Sequence, residues 1–91
     1  MVTNGKRKGT VQFVLRPAGG AKEVCLAGDF NDWEPQAMKR QKDGRFMLDV
    51  KLPAGSYEYR FIADGHWLTD PDHSHWTPNP FGSFNSVAQV V

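Results

Sequence analysis

Apolar and polar positions alternate with a period of two along several short stretches of this chain. The clearest are Thr10–Arg16, Phe46–Leu52 and Ser56–Ala63, each with an apolar side chain at every second position. This period is typical of a strand with one buried face. Val24–Ala27 and Val87–Val91 are shorter apolar runs that also suit strands. The pattern predicts a protein built from β-strands, and no stretch has the periodicity of an amphipathic helix.

Turn-forming residues separate these stretches. Asp43-Gly44 and Asp64-Gly65 supply the positive φ angles that tight hairpins need, and Pro53–Gly55 marks a further turn. A weak strand is predicted around Met38, and a short strand at Trp67-Leu68 follows the Asp64-Gly65 turn. Thr69–Ser86 is rich in proline, asparagine and histidine and is predicted to be irregular. Irregular segments of this length are often functional.

About seven short strands with regularly spaced turns indicate an all-β fold. We predict an immunoglobulin-like antiparallel β-sandwich, with a small closed barrel as the alternative. The chain has 91 residues, which is room for one domain. We place that domain at residues 10–91 and expect residues 1–9 to form a flexible N-terminal segment.

Charge and cysteine content exclude several classes of protein. The net charge is +1 and the charges are spread along the chain, which disfavours nucleic-acid binding. The basic run Lys39–Arg45 falls at a predicted turn and is expected to be a solvated hairpin tip. Cys25 is the only cysteine, so no intrachain disulfide can form. The sequence shows neither a signal-peptide core nor a membrane span. We therefore predict a soluble, cytoplasmic protein that binds neither nucleic acid nor membrane.

The densest cluster of turn formers is Ala27–Pro35, which also contains two large aromatic residues. Such a cluster forms a loop, and loops run over the surface because their backbone needs water or special partners. Trp33 is therefore predicted to keep part of its ring at the surface. Trp67 follows the Asp64-Gly65 turn in a similar setting. Two surface tryptophans in one small domain are the strongest indication of function in the residues themselves.

The residues alone leave the role of both tryptophans open, because a tryptophan in a small β domain is more often core than ligand platform. Trp76 is expected to pack the long loop down rather than to extend a platform. Phe30 is expected to anchor the Trp33 loop. Asp29 and Asn31 are expected to bond the backbone of their own turn.

An ordered set of motifs resembles the glycogen-binding module family, also called carbohydrate-binding module family 48. That family includes the module in the β subunit of AMP-activated protein kinase and the N-terminal domains of isoamylases and glycogen branching enzymes. The resemblance spans Thr10 to Val91 and implies an immunoglobulin-like β-sandwich. The motifs that carry it are, in order, Gly28–Trp33, Leu52–Phe61, Asp64–Trp67, Asp70-Pro71 and Phe81–Val87.

The resemblance also implies a set of binding residues. In the kinase module two tryptophans stack on glucose rings, a lysine and an asparagine hydrogen-bond hydroxyls, and a loop leucine presses into the glucan ring. Trp33 and Trp67 match the stacking pair, and Arg60 stands at the lysine position. Arg for Lys keeps the charge but changes the donor geometry. Phe81 replaces the leucine with a larger, flatter group. Ser83 and Asn85 match the hydrogen-bonding positions that follow the loop residue.

The predicted function is non-catalytic binding of α-1,4-glucans such as glycogen, starch and maltooligosaccharides. The alternative is a structural or interaction domain that packs on an amylolytic enzyme or on another catalytic or regulatory protein partner. Whether the chain acts alone or is one domain of a larger protein is left open.

Catalytic and metal chemistry find little support in the sequence. Glycoside hydrolysis needs two carboxylates positioned across a cleft, and no motif pairs them here. Asp70, Asp72, His73 and His75 lie close along the chain, but their spacing is loose and no second cluster completes a coordination shell. A solvated loop is predicted there. We expect no catalytic residue, no metal and no cofactor.

Overall fold

The computed structural model describes residues 2–4, 9–17, 19–73 and 75–90. Within these ranges it contains ten strands and no helix, and hence no helix that could cross a membrane. In chain order the strands are β1 (Val2–Asn4), β2 (Thr10–Leu15), β3 (Val24–Gly28), β4 (Gln36–Ala37), β5 (Lys39–Arg40), β6 (Phe46–Lys51), β7 (Gly55–Ala63), β8 (His66–Leu68), β9 (Trp76–Pro78) and β10 (Phe84–Val90).

The strands form two antiparallel sheets that pack face to face. One sheet has the spatial order β1-β2-β6-β5, and the other has the order β4-β3-β7-β10-β9, with β8 also paired to β7. The predicted all-β sandwich is therefore confirmed, although its ten strands exceed the expected number. The additional strands are short edge elements of two or three residues, which give weak sequence signals.

The core lies between the inner faces of the two sheets. Phe13, Leu26, Tyr59 and Phe61 are fully buried there. The rings of Phe13 and Tyr59 meet edge to face with centroids 4.9 Å apart, and Tyr59 meets Phe61 in the same manner at 5.7 Å. Edge-to-face contacts are a favourable arrangement of aromatic rings. The period-two patterns of β2 and β7 therefore predicted the core correctly.

Met38 marks the point where the chain passes from one sheet to the other. The preceding strand, β4, pairs with β3, whereas the following strand, β5, pairs with β6. The Met38 side chain is buried in the core, and its backbone N–H donates to the Val24 carbonyl at 2.9 Å. The weak strand predicted around this residue is thus two short strands joined by a core residue.

Both predicted Asp-Gly hairpins are present. Asp64 and Gly65 have φ angles of 48° and 83° and join β7 to β8 directly. Gly44 has a φ angle of 90° in the turn between β5 and β6, where the Gln41 N–H donates to the Arg45 carbonyl.

Two expectations about irregular segments are wrong. Val2–Asn4 forms a strand against β2 instead of belonging to a flexible segment, while residues 5–8 lie outside the described residues. Within Thr69–Ser86, which was expected to be irregular, β9 pairs with the first residues of β10. Both misjudged strands are only three residues long, which is too short to show a period of two in the sequence.

Asp70 is also not in a solvated loop, because it is fully buried. Its carboxylate accepts a hydrogen bond from the Tyr59 hydroxyl at 2.6 Å, and its backbone N–H donates to the Ser86 hydroxyl at 2.8 Å. Burial, followed by this bond to a carboxylate, raises the pKa of Tyr59 well above its ordinary value. Nearby, the half-buried His73 holds its Nε2 at 2.6 Å from the Val87 carbonyl, which requires Nε2 to be the donor. These contacts fasten the segment before β9 to the sheet.

Candidate functional site

A groove of about 480 Å³ runs across the outer face of the six-stranded sheet. Strands β7, β8 and β10 form its floor, and the loops after β3 and β9 form its walls. Concave sites that combine apolar surface with a few polar groups are the usual form of small-molecule sites. Its lining residues are Asp29, Trp33, Glu58, Arg60, Trp67, Asn79, Pro80, Phe81 and Asn85.

Strand alternation explains which side chains reach the groove. Tyr59 and Phe61 of β7 point into the core, so Glu58 and Arg60 point outward. Trp67 of β8 pairs with Ile62 of β7, which lies on the same outward face as Arg60. Because its side chains alternate, β7 contributes to the core on one face and to the polar part of the groove on the other.

The loop after β3 carries Trp33 in a fixed backbone conformation. The Trp33 N–H donates to the Gly28 carbonyl at 3.0 Å, and the Asn31 side chain accepts from the Gly28 N–H and donates to the Leu26 carbonyl. Asp32 and Trp33 have φ angles of 55° and 60°, which non-glycine residues rarely adopt. Such strain persists only where surrounding contacts fix it, and it is common at functional sites.

Phe30 anchors this loop, as predicted. Its ring lies 5.3 Å from the Phe13 ring and 6.3 Å from the Tyr57 ring, measured between centroids. Asn31 bonds the turn backbone as predicted, but Asp29 instead bonds a neighbouring strand and the Trp33 ring. Trp33 itself is half-buried, in agreement with the expectation of a partly exposed ring.

Trp67 and Arg60 form the opposite part of the groove. The Trp67 side chain is 44% exposed, and the Arg60 guanidinium carbon lies 5.9 Å from the centre of its ring. The guanidinium also donates to the Trp67 carbonyl at 3.3 Å and to the Ser83 hydroxyl at 3.4 Å. Both bonds are long, and a guanidinium has five N–H donors. Arg60 therefore keeps donor capacity for a bound molecule.

The loop between β9 and β10 presents Phe81 at its tip. This side chain is 91% exposed, an unusual position for a large apolar group. Asn79 organises the loop, because its side-chain oxygen accepts from the N–H groups of Phe81 and Ser83 at 3.0 and 3.2 Å. Gly82 allows the tight return with a φ angle of 80°. The exposed aromatic ring is thus held by a rigid turn.

Side-chain amides join this loop to the floor of the groove. The Asn79 amide donates to the Ser83 hydroxyl at 2.8 Å and to the Asn85 oxygen at 3.1 Å. The Asn85 amide in turn donates to the Glu58 carboxylate at 3.1 Å. The carboxylate can only accept, so it fixes the orientation of Asn85 and, through it, of Asn79. The polar groups of the groove are therefore oriented before any ligand binds.

The structure brings the six predicted binding residues to one region. Trp33, Trp67, Arg60, Phe81 and Asn85 line the groove, whereas Ser83 lies behind it and supports neighbouring side chains. The sequence reasoning missed four lining residues, which are Asp29, Glu58, Asn79 and Pro80. The Asn79-Pro80 dipeptide is a turn signal that could have placed the loop. The placement of Asp29 beside Glu58, in contrast, depends on a contact between residues distant in the sequence.

Trp76 and the acidic and histidine residues before β9 do not line this groove. Trp76 is 49% exposed and stacks loosely on Phe84, with ring centroids 6.2 Å apart. Its strand partner, Ser86, pairs with the core-facing Tyr59, so Trp76 lies on the opposite face of the sheet from the groove. Within the described part of the chain, no three His, Cys, Asp or Glu side chains are arranged to hold a metal ion.

Comparison with curated proteins links most of this chain to the β subunits of 5'-AMP-activated protein kinase. A family profile described as the glycogen recognition site of AMP-activated protein kinase matches residues 11–91. The β-1 subunits of 5'-AMP-activated protein kinase from Sus scrofa and Homo sapiens are each 38% identical over 77 residues, which is 85% of this chain. The matched region spans 62% of the Sus scrofa relative and 28% of the Homo sapiens relative.

Solved structures of larger proteins contain the same fold. A maltogenic amylase from S. marinus matches 90% of this chain and 13% of its own length, with a TM-score of 0.75 and 21% identity. A candidate α-amylase from Salmonella typhimurium matches 97% of this chain and 14% of its own length, with a TM-score of 0.69 and 27% identity. The predicted resemblance is confirmed by the profile match over residues 11–91, and the chain belongs to the family of the glycogen recognition site of AMP-activated protein kinase.

Proposed function

We propose that this domain binds α-1,4-glucans such as glycogen, starch or maltooligosaccharides, without catalysing their hydrolysis. The single observation that carries the proposal is that Trp33, Trp67 and the exposed Phe81 line one groove together with oriented polar groups. Membership of a glycogen-recognition family supports the same ligand class.

The chemistry of glucose suits this groove. A glucose ring has an apolar C–H face and a rim of hydroxyls, and a rigid aromatic plane covers the first at low entropic cost. Trp33 stands on the loop after β3 and Trp67 on strand β8, so their planes are able to follow a curved glucan. In this proposal each tryptophan stacks on one glucose ring, and Phe81 packs against the glucose residues that lie between the two tryptophans.

In this proposal the polar groups of the groove form hydrogen bonds with the hydroxyl rim of the glucose rings. Arg60 donates from the terminal nitrogens of its guanidinium, and Asn85 contributes an amide that Glu58 and Asn79 already orient. Ser83 acts in this proposal mainly by supporting Arg60 rather than by reaching the sugar, because it lies behind the lining residues. A neutral ligand agrees with a groove that contains charges of both signs.

Calorimetric titration with maltoheptaose, and with the β-1,4-linked cellohexaose as a control, tests the proposal. We expect saturable binding of maltoheptaose in roughly the μM to mM range, as for a shallow surface site, and much weaker binding of cellohexaose. Release of shorter sugars from labelled maltoheptaose should stay at the level of buffer alone. Equal binding of both sugars, or no binding of either, contradicts the proposal.

A second candidate function is docking to a protein partner, such as a catalytic or regulatory protein. The observation in its favour is the half-exposed pair Trp76 and Phe84 on the face opposite the groove. Exposed apolar patches often mark protein interfaces. The relatives are also longer than the matched region, so this domain has neighbours in those proteins.

The role of any larger protein that contains this domain is a separate question from the binding of a glucan. The chain spans 62% of the length of the Sus scrofa relative, so the activity and partners of the whole kinase subunit are not assigned to this chain. A cytoplasmic location and the lack of a cofactor stay predictions from the sequence.

A further inference from the structure

The backbone of the Trp33 loop and the ring of Trp33 are held by different contacts. Asn31 and the Gly28 carbonyl fix the backbone of the turn. None of these bonds touches the indole ring, which can still turn about its two side-chain torsions. A half-buried ring at the rim of a groove therefore needs a contact of its own if its plane is to be fixed.

Asp29 supplies that contact. One carboxylate oxygen accepts from the Trp33 indole N–H at 3.1 Å, and the other accepts from the Glu58 backbone N–H at 2.8 Å. The Asp29 N–H donates to the Glu58 carbonyl at 3.0 Å, so Asp29 continues the pairing of β3 with β7 by one residue. The carboxylate therefore ties the indole ring directly to the strand that carries Arg60.

We infer that Asp29 is a positioning residue for glucan binding, which sets the plane of Trp33 relative to Trp67 before the sugar arrives. The inference rests on the proposed function. A ring already fixed in its bound orientation loses less conformational freedom when the ligand binds. Asp29 makes this contribution through the indole N–H and needs no contact with the sugar.

The variant Asp29→Asn tests the role with little change in size. An amide has one acceptor atom, whereas two N–H groups point at this side chain from Trp33 and Glu58. The oxygen is expected to keep the shorter backbone bond, which leaves an NH₂ group facing the indole N–H. Affinity for maltoheptaose should fall roughly 2- to 10-fold, the range expected when one side chain must be ordered on binding.

A double-mutant cycle separates positioning from general damage to the loop. Trp33→Phe keeps an aromatic ring but has no N–H, so Asp29→Asn should cause no further loss of affinity in that background. A purely structural role would lower affinity by the same factor in both backgrounds. Asp32→Asn serves as the matched control, because Asp32 is exposed and asparagine tolerates its positive φ angle. Its affinity should equal that of the parent.

The indole N–H resonances provide a readout that needs no sugar. Asp29→Asn should shift the Trp33 signal, identified by its absence in Trp33→Phe, and leave those of Trp67 and Trp76 in place. Unchanged affinity in Asp29→Asn, equal losses in both backgrounds, or an unmoved Trp33 signal would each overturn the inference alone. A parent protein that does not bind maltoheptaose would overturn the proposed function, and this inference with it.

Discussion

At the scale of single residues, Gly28 shows how closely the Trp33 loop lies against the sheet. A β-carbon at this position would stand 2.6 Å from the Glu58 carbonyl oxygen and 2.8 Å from the Phe30 ring. Both distances are shorter than any ordinary contact. Glycine is therefore needed here for the close approach of two backbones, and the approach lets Asp29 and Glu58 exchange hydrogen bonds.

Gly28→Ala should consequently destabilise the domain. The added methyl group must displace a backbone carbonyl or the Phe30 anchor, and overpacking of this kind costs roughly 1–3 kcal/mol. Urea unfolding measures the loss. Gln36→Ala, at an exposed position in β4, is the control and should stay within about 0.5 kcal/mol of the parent. Equal stability of Gly28→Ala and the parent would show that the loop is looser than described.

Sequence reasoning at this scale succeeded where a signal was local. Trp33 and Trp67 follow dense turn signals, so their partial exposure was predictable from neighbouring residues. Asp70 was misjudged because its burial depends on the Tyr59 hydroxyl, which lies on another strand. Glu58 was missed for the same reason, since only the folded sheet brings it to Asn85.

At the scale of elements, the passage between the sheets depends on Met38. Its buried side chain fills the core where β4 gives way to β5. Met38→Ala should lower the free energy of unfolding by about 2–5 kcal/mol, because the truncation leaves a cavity. Met47→Ala is a matched control, since Met47 is only half-buried in β6. A smaller loss in Met38→Ala than in Met47→Ala would contradict this role.

The hairpin between β7 and β8 has a charge-dependent contact. The exposed Asp64 carboxylate accepts from the backbone N–H groups of Glu23 and Lys22 at 2.9 and 3.1 Å. These bonds lower the pKa of Asp64 below its ordinary value of 3.8, and the bond from Glu23 has the largest effect. A carboxylate with a lowered folded pKa stabilises the fold fully above its unfolded pKa and loses that contribution as pH falls through the folded value.

Asp64→Asn should therefore lower the melting temperature near neutral pH but make little difference in acid well below pH 3.8. Asparagine tolerates the φ angle of 48°, so strain does not confuse the comparison. Asp72→Asn, at another exposed position, is the control. A melting-temperature difference between Asp64→Asn and the parent that persists unchanged into acid would contradict the proposed contact.

Element prediction succeeded for the long amphipathic strands and failed for two short ones, β1 and β9. Strands β2, β6 and β7 have six to nine residues and show the period of two. Strand β9 has three residues, ends in a proline and takes its partners from β10. A segment this short has no period of its own, so its pairing is decided by tertiary contacts.

At the scale of the whole molecule, the domain presents two aromatic surfaces on opposite faces of one sheet. Trp33, Trp67 and Phe81 belong to the groove, whereas Trp76 and Phe84 lie on the other face. The two proposed functions are therefore separable by mutation. Trp76→Ser should leave affinity for maltoheptaose within about twofold of the parent. A large loss of affinity would place Trp76 in the sugar site.

The most direct test of the glucan platform is calorimetric titration of β-cyclodextrin into the parent, Trp33→Ala and Trp67→Ala. Removal of a central aromatic anchor typically costs roughly 2 kcal/mol or more, which is about 30-fold in affinity. We predict that the parent binds, that each variant binds at least about 30-fold more weakly, and that both unfold cooperatively like the parent. Binding that survives unchanged in either correctly folded variant would contradict the central claim that these two rings together hold the glucan.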